Sequence, residues 1–217
     1  MSDRSAAHGD GIAQAGGTAG YAREADALAA QYEAVAFGDV HRDVLGLVPP
    51  GPARILDIGA GTGRDAAALA ALGHSVVAVE PTTELRVHGQ RIHAGSAIDW
   101  VDDVLPDLTL RQYPGRFDAI FATAVWMHLD AGEREQAMAR IAALLVPGGR
   151  FFVTLRHGPV PEGRRMFEVS AAETVELAAA HRLQTVLSSE RSDLHGRGSV
   201  WWSSLVFQAE DSLNALA

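Results

Sequence analysis

One short segment, Asp57-Ile58-Gly59-Ala60-Gly61-Thr62-Gly63-Arg64, carries the clearest chemical signal in the sequence. Glycines at 59, 61 and 63 let a backbone turn sharply and approach a ligand closely. The run Arg54-Ile55-Leu56-Asp57-Ile58 precedes them as a short buried strand, and a helix is expected over 65–72, stopped by Gly73. Strand, glycines and helix in that order bring unpaired N–H groups and the positive end of a helix dipole to the ligand, a seat for an anionic group such as a carboxylate. Glu80 stands 21 residues after Gly59, at the end of a second strand over 75–79. An acid at that place can accept hydrogen bonds from both hydroxyls of a ribose. Asp57 adds a carboxylate two residues before the first glycine. A negative charge there disfavours a pyrophosphate and suits a cationic ligand. Dinucleotide loops want their third glycine where Arg64 stands, and a long side chain there crowds the close helix–strand approach such folds use.

The elements that must hold this loop are legible on either side of it. Helical spacing is expected over 21–37, with a second short helix over 40–47 that Pro49, Pro50, Gly51 and Pro52 end. After the second strand, helix is expected over 83–93 (weakened by Gly89), strand over 97–101, strand over 117–122 and helix over 131–145. Pro147-Gly148-Gly149 reads as a turn into a strand over 151–155. Ser170-Ala171-Ala172-Glu173 has the capping-box pattern and opens a helix to about 181, and two β runs over 183–188 and 200–208 form a closing hairpin. Strands alternating with helices imply an α/β fold with a doubly wound, mostly parallel sheet covered on both faces. An antiparallel final strand is the specific addition. The expected organisation is a flexible tail over 1–20, N-terminal helices over 21–53, the main domain over 54–208, and a C-terminal tail over 209–217.

The composition narrows the function classes. With 217 residues, 47% of them hydrophobic and 21% charged, the chain is long and apolar enough for one globular domain. Its 18 Lys+Arg against 27 Asp+Glu leave a net charge of -9, which argues against nucleic acid as a partner. The absence of cysteine excludes disulfides, thiolate metal sites and a cysteine nucleophile, and fits a cytoplasmic location. No apolar run approaches a membrane span, and the N-terminal residues do not read as a signal peptide. No histidine spacing suggests a metal site.

Taken together, these segments resemble the class I S-adenosylmethionine-dependent methyltransferases. The resemblance runs from Tyr21 to Gln208. It rests on Ile55 to Arg64, on Val79-Glu80-Pro81, on Phe117 to Leu129, and on Leu144-Leu145-Val146-Pro147-Gly148-Gly149-Arg150-Phe151. It implies a Rossmann-like seven-stranded sheet with S-adenosylmethionine as cofactor and S-adenosylhomocysteine as product. The ammonium and sulfonium charges of that cofactor match Asp57. The resemblance places Gly59, Ala60, Gly61 and Arg64 along its methionine part and Glu80 on its ribose. Pro81 is expected beside adenine, where proline can pack but lacks an N–H to donate. Asp102 or Asp103 faces the adenine amino group, the choice between them left open. The segment 122–128, with Ala124 within it, lines the methyl-donor side, and Tyr32 closes over the cofactor from the N-terminal helix.

Further candidates follow the fourth and fifth strands, at the sheet edge where open α/β folds bind ligands. His128 is the candidate general base or acceptor-orienting donor, and a packed or helix-capping histidine is the alternative. Met127, Arg156 and His157 are the candidate acceptor contacts. Trp201 and Trp202, adjacent on a strand, point to opposite faces and read as packing residues. The function expected is methyl transfer to a small-molecule acceptor, by a monomer or a homodimer. A dinucleotide-dependent oxidoreductase and a non-catalytic adenosyl-ligand-binding protein are the alternatives.

Overall fold

The computed structural model describes residues 20–110 and 116–211. The tail expected over 1–20 therefore lies outside the described residues except for Gly20, as does most of the C-terminal tail. Seven strands form one sheet in the order β3-β2-β1-β4-β5-β7-β6. They are β1 (Arg54–Ile58), β2 (Ser75–Val79), β3 (Ile98–Val101), β4 (Phe117–Ala122), β5 (Leu145–His157), β6 (Leu183–Ser192) and β7 (Trp201–Ala209). β1 to β5 pair in parallel, and β7 runs antiparallel between β5 and β6.

Strand alternation sorts the core into two layers. Leu56, Ile58, Val77, Val79, Ile120, Phe151 and Val153 face one side. There they pack on α5 (Ala131–Leu144) through Ala137, Met138 and Ile141, and on α6 (Ala171–Ala180) through Ala178. Ile55, Val76, Ala78, Phe121 and Phe152 face the other side, under Ala66 and Leu69 of α3 (Arg64–Ala71) and under Phe37 and Val44. The N-terminus of α5 is closed by a full capping box: Asp130 accepts from the Glu133 backbone, and the Glu133 side chain accepts from the Asp130 backbone. Ser170 caps α6 through the Glu173 N–H, as expected.

Three expectations are corrected at the level of elements. The helix expected over 21–37 is divided into a 3₁₀ turn Ala22–Glu24, α1 (Ala25–Glu33) and α2 (Phe37–Val40). The chain is extended at Ala36, with ψ 146°. The bend delivers Phe37 to the Phe121 face, where it also packs on His41. Tertiary packing of one aromatic ring overrides helical spacing here. Residues 41–47 hold turns and a 3₁₀ turn Leu45–Leu47 rather than the helix expected over 40–47. Pro147-Gly148-Gly149 does not separate helix from strand. It is an irregularity inside β5, where the pairing with β4 shifts between Phe117↔Leu145 and Ala119↔Arg150. Gly148 takes φ 73° there.

The helix over 83–92, α4 (Thr83–Ile92), contains Gly89 for a packing reason. A Cβ at that position would lie 2.4 Å from the Trp100 ring and 2.7 Å from the Thr62 carbonyl. The glycine lets β3 and the ligand loop press against α4.

Candidate functional site

The loop after β1 is tied in place by its own backbone. Gly59, Gly61 and Gly63 take φ of 65°, 58° and 82°, conformations that favour glycine. The Ala60 N–H donates to the Val79 carbonyl at 2.9 Å, Gly61 to the Glu80 carboxylate at 2.8 Å, and Gly63 to the Ala60 carbonyl at 2.8 Å. The loop amides at 60, 61 and 63 are thus engaged within the protein. Asp57, Asp65 and Glu80 are all buried around the loop.

Asp57 is 1% exposed, and its Oδ2 is buried with no hydrogen-bond partner. Burial, reinforced by the neighbouring charge of Asp65, pushes its carboxyl well above the usual carboxylate range, against the pull of Arg64. Asp65 goes the opposite way. Burial would raise its carboxyl, but His41 at 2.8 Å and Arg64 at 2.7 Å hold it below the ordinary value. Glu80 is raised by burial, although its Oε1 accepts from the Thr82 N–H and its Oε2 from the Gly61 N–H. Each of these oxygens keeps a second lone pair.

A cavity of about 740 Å³ runs along the carboxyl edge of the sheet, from Glu80 and Pro81 past Gly59, Gly61 and Ala124 to Met127, His128 and Arg156. That is the size and the place expected of a ligand site in an open α/β sheet. Tyr32, Asp57, Ala60, Arg64 and Asp103 also line it. Tyr32 lies over the loop, its ring carbons 3.3 Å from where a Gly61 Cβ would stand. Of the two adjacent acids, the structure brings Asp103 to the wall. There it organises the following turn, accepting from the Val104 and Leu110 N–H groups and from Thr109. Asp102 does not line the cavity; it is turned toward Arg86 at 2.9 Å.

His157 likewise does not join the site. It pairs in register with Trp201, stacks on that ring at 3.6 Å, and shares a hydrogen bond with Ser203 at 2.8 Å. Strand alternation places it on the face opposite Arg156.

At the far end, His128 is set by two partners. Its Nδ1 is 2.7 Å from the Arg165 carbonyl oxygen, which can only accept, so Nδ1 carries the proton. Nε2 is then a lone pair and accepts from the Tyr21 hydroxyl at 2.9 Å. Burial lowers the His128 pKa, and the charges of Arg164, Arg165 and Arg156 lower it further, against the Arg165 carbonyl. Tyr21 is pushed up by burial, with Arg164 opposing from over its ring at 4.0 Å. Tyr21, Arg164, Arg165, Arg191, Arg197 and Asp193 line the cavity and do not stand out in the sequence, and Trp202, read there as a packing residue, lines it as well. Alternation puts Trp201 and Trp202 on opposite faces, and the β5–β7 register shows that Trp202 is the one that shares a face with Arg156.

Residues 55–149 match a family described as a methyltransferase domain. A ubiquinone biosynthesis O-methyltransferase of Xylella fastidiosa is 36% identical over 111 residues, covering 49% of this chain and 43% of that protein. An uncharacterised methyltransferase of Mycobacterium tuberculosis is 32% identical over 129 residues, covering 55% and 63%. The crystal structure of a Burkholderia thailandensis 1,6-didemethyltoxoflavin-N1-methyltransferase, with 1,6-didemethyltoxoflavin and S-adenosylhomocysteine bound, superposes with a TM-score of 0.61. It is 25% identical, over 87% of this chain and 90% of that one. Together these likenesses support a class I S-adenosylmethionine-dependent methyltransferase, with residues 55–149 carrying the methyltransferase-domain match. The chain spans 43% of the length of the Xylella relative.

The cofactor of this family is S-adenosylmethionine, and the residues present fit it. The orphaned Oδ2 of Asp57 suits an ammonium group, and the spare lone pairs of Glu80 suit a pair of ribose hydroxyls. Among the described residues no group of three or more His, Cys, Asp or Glu is placed to hold a metal ion. No helix among them is long and apolar enough to cross a membrane.

Proposed function

We propose that this protein transfers the methyl group of S-adenosylmethionine to a small-molecule acceptor. The observation that carries the reading is the buried, unpartnered Asp57 oxygen beside the glycine loop. A buried carboxylate without a partner is costly, and a cationic ligand repairs it. A pyrophosphate would meet the buried acids Asp57, Asp65 and Glu80 around the loop. When bound, the cofactor supplies an already activated methyl group on a sulfonium. The chain's part is then to bind, orient and exclude water.

Asp57, Glu80 and Tyr32 would hold the cofactor, with Pro81 and Asp103 at the adenine end. Met127, His128 and Arg156 would meet the acceptor. Where the acceptor must lose a proton, Nε2 of His128 would take it through the Tyr21 hydroxyl that it accepts from, with Nδ1–H anchored on the Arg165 carbonyl. The names of two similar proteins, a ubiquinone biosynthesis O-methyltransferase and an enzyme with 1,6-didemethyltoxoflavin bound, support a small, cyclic acceptor.

Calorimetric titration with S-adenosylmethionine, S-adenosylhomocysteine and NAD(H), on the wild type and Glu80→Ala, tests the reading. Binding of the adenosyl ligands but not NAD(H), weakened by Glu80→Ala, is expected. Binding of NAD(H) instead, or of no nucleotide, overturns it.

A further inference from the structure

The acceptor end of the cavity is cationic in an otherwise acidic chain. Six of the chain's 18 basic residues line the cavity, five of them beyond the glycine loop, although the net charge is -9. Three of those five are neutralised: Arg197 by Asp193 at 2.7 Å, Arg165 by Glu133 at 2.8 Å, and Arg164 by Glu24. Asp193 is fully engaged, since it also accepts from the Trp202 indole at 2.9 Å. Glu162 is at the exposed rim.

Arg156 and Arg191 differ from the other three. Arg156 donates to the Pro159 carbonyl at 2.9 Å and Arg191 to the Ser192 carbonyl at 3.5 Å. The Nε of Arg191 is buried without a partner, and neither guanidinium has a carboxylate within ion-pair distance among the described residues. Sheet register explains how they act together. Arg156 on β5, Trp202 on β7 and Arg191 on β6 are direct cross-strand partners, so all three side chains leave the sheet on one face. An indole is thus flanked by two guanidiniums, with Arg191 5.7 Å from the ring centre. The charge of Arg156 also reaches His128 and Tyr21.

From this row, and resting on the methyl-transfer reading above, we infer that the acceptor is a planar aromatic anion, its carboxylate or phosphate held by Arg156 and Arg191 and its ring beside Trp202. Guanidinium forks match both anions, and the indole supplies the flat apolar surface such a ring needs. An acceptor held by Arg156 is brought toward the proton-accepting nitrogen of His128.

Matched pairs of probes test this by calorimetry, with and without saturating S-adenosylhomocysteine. The pairs are benzoate with benzamide, indole-3-acetate with indole-3-acetamide, and phenyl phosphate with phenol. At least one acid is expected to bind about tenfold or more tighter than its neutral twin, the size of a charge-assisted hydrogen bond. Carboxylate and phosphate arms then show which anion is preferred. Arg156→Gln and Arg191→Gln are each expected to erase most of that preference while S-adenosylhomocysteine binds as in the wild type. The inference is overturned if no acid outperforms its twin, or if the preference survives in both variants. Loss of S-adenosylhomocysteine binding in the wild type strikes instead at the methyltransferase reading, and the acid preference measured without it is read separately.

Discussion

Tyr21 and His128 are 107 residues apart in the chain and 2.9 Å apart in space, joined by a hydrogen bond whose direction is fixed by the Arg165 carbonyl on the other side of the imidazole. In the neutral ring the one lone pair of His128, on Nε2, therefore meets the Tyr21 hydroxyl, which also lines the cavity. The His128 pKa is lowered from 6.5 by burial and by three arginines, so the neutral form persists below that pH. Methyl transfer that uses this base is expected to be flat around neutrality and to fall only on the acid side of about pH 6.5, where the ring takes its second proton. His128→Ala should lower kcat about 100-fold or more. It should leave S-adenosylhomocysteine affinity within about twofold, because the ring is at the acceptor end. Tyr21→Phe should cost less and shift the acid limb, since losing the hydroxyl breaks the relay but frees the Nε2 lone pair. A kcat–pH profile of the three proteins with an acceptor in hand checks this, and an unchanged kcat for His128→Ala removes the base.

Asp57 makes cofactor affinity depend on protons. Its carboxyl in the free protein is raised well above 3.8 by burial and by Asp65. A cation bound at Oδ2 favours the ionised form and lowers that pKa. Between the two values, binding releases a proton, and affinity weakens as pH falls through the free-protein value. Titration with S-adenosylhomocysteine in two buffers of different ionisation enthalpy should show a net release of protons. Asp57→Asn should abolish the release and lower affinity about tenfold or more. Equal heats in both buffers at every pH would count against the ammonium partner.

Much of this frame is legible in the residues alone, and the failures share a cause. Three strands, β1, β2 and β4, fall at the bounds their apolar runs set, because a strand buried on both faces leaves an unbroken hydrophobic signature. The ligand loop and Glu80 were legible for the same reason, since backbone-driven features announce themselves in glycines. What failed depends on partners distant in sequence. The break after Glu33 serves Phe37 against Phe121, and nothing within 21–37 records that ring. Asp102 and His157 each adjoin a residue that does line the cavity, so a one-residue difference in direction separated wall from surface. The arginine row across β5, β7 and β6 needs the order of those strands, which local patterning does not contain.

Two glycines with the same backbone strain should separate cofactor binding from simple stability. Gly59 has φ 65°, and a Cβ there would meet the Val125 side chain at 2.5 Å. Gly73 has φ 91°, and a Cβ there would meet nothing within 4 Å. Gly73→Ala should cost roughly 1 kcal/mol of stability from left-handed strain alone and leave S-adenosylhomocysteine affinity unchanged. Gly59→Ala carries the same strain and must also displace Val125, next to Ala124 in the cavity wall. It should weaken affinity about tenfold, a difference that paired denaturation and titration curves resolve.

The pair His41 and Asp65 anchors the N-terminal segment to the floor of the site, and its contribution should depend on pH in a definite direction. Both side chains are buried, at 2% and 4% exposure, and they meet at 2.8 Å. Thr123 donates to the same Asp65 oxygen at 2.9 Å, and Arg64 holds the other. Burial alone would raise the Asp65 carboxyl, yet His41 and Arg64 hold it below 3.8 in the folded protein. A group with a depressed folded pKa contributes stability that is present above its unfolded value and lost as pH falls through the folded one. His41→Leu removes the leading cause of the depression while filling the space. It should cost about 1–3 kcal/mol near pH 5, where Asp65 is ionised in both states. The cost should shrink below about pH 3.8, because the unfolded chain then binds a proton that the wild-type fold keeps off Asp65 and that the variant fold resists less. Urea unfolding of the two proteins across that range checks the sign. A penalty that grows toward acid would mean that His41 stabilises the fold by packing on Phe37 and Phe121 rather than through the Asp65 charge.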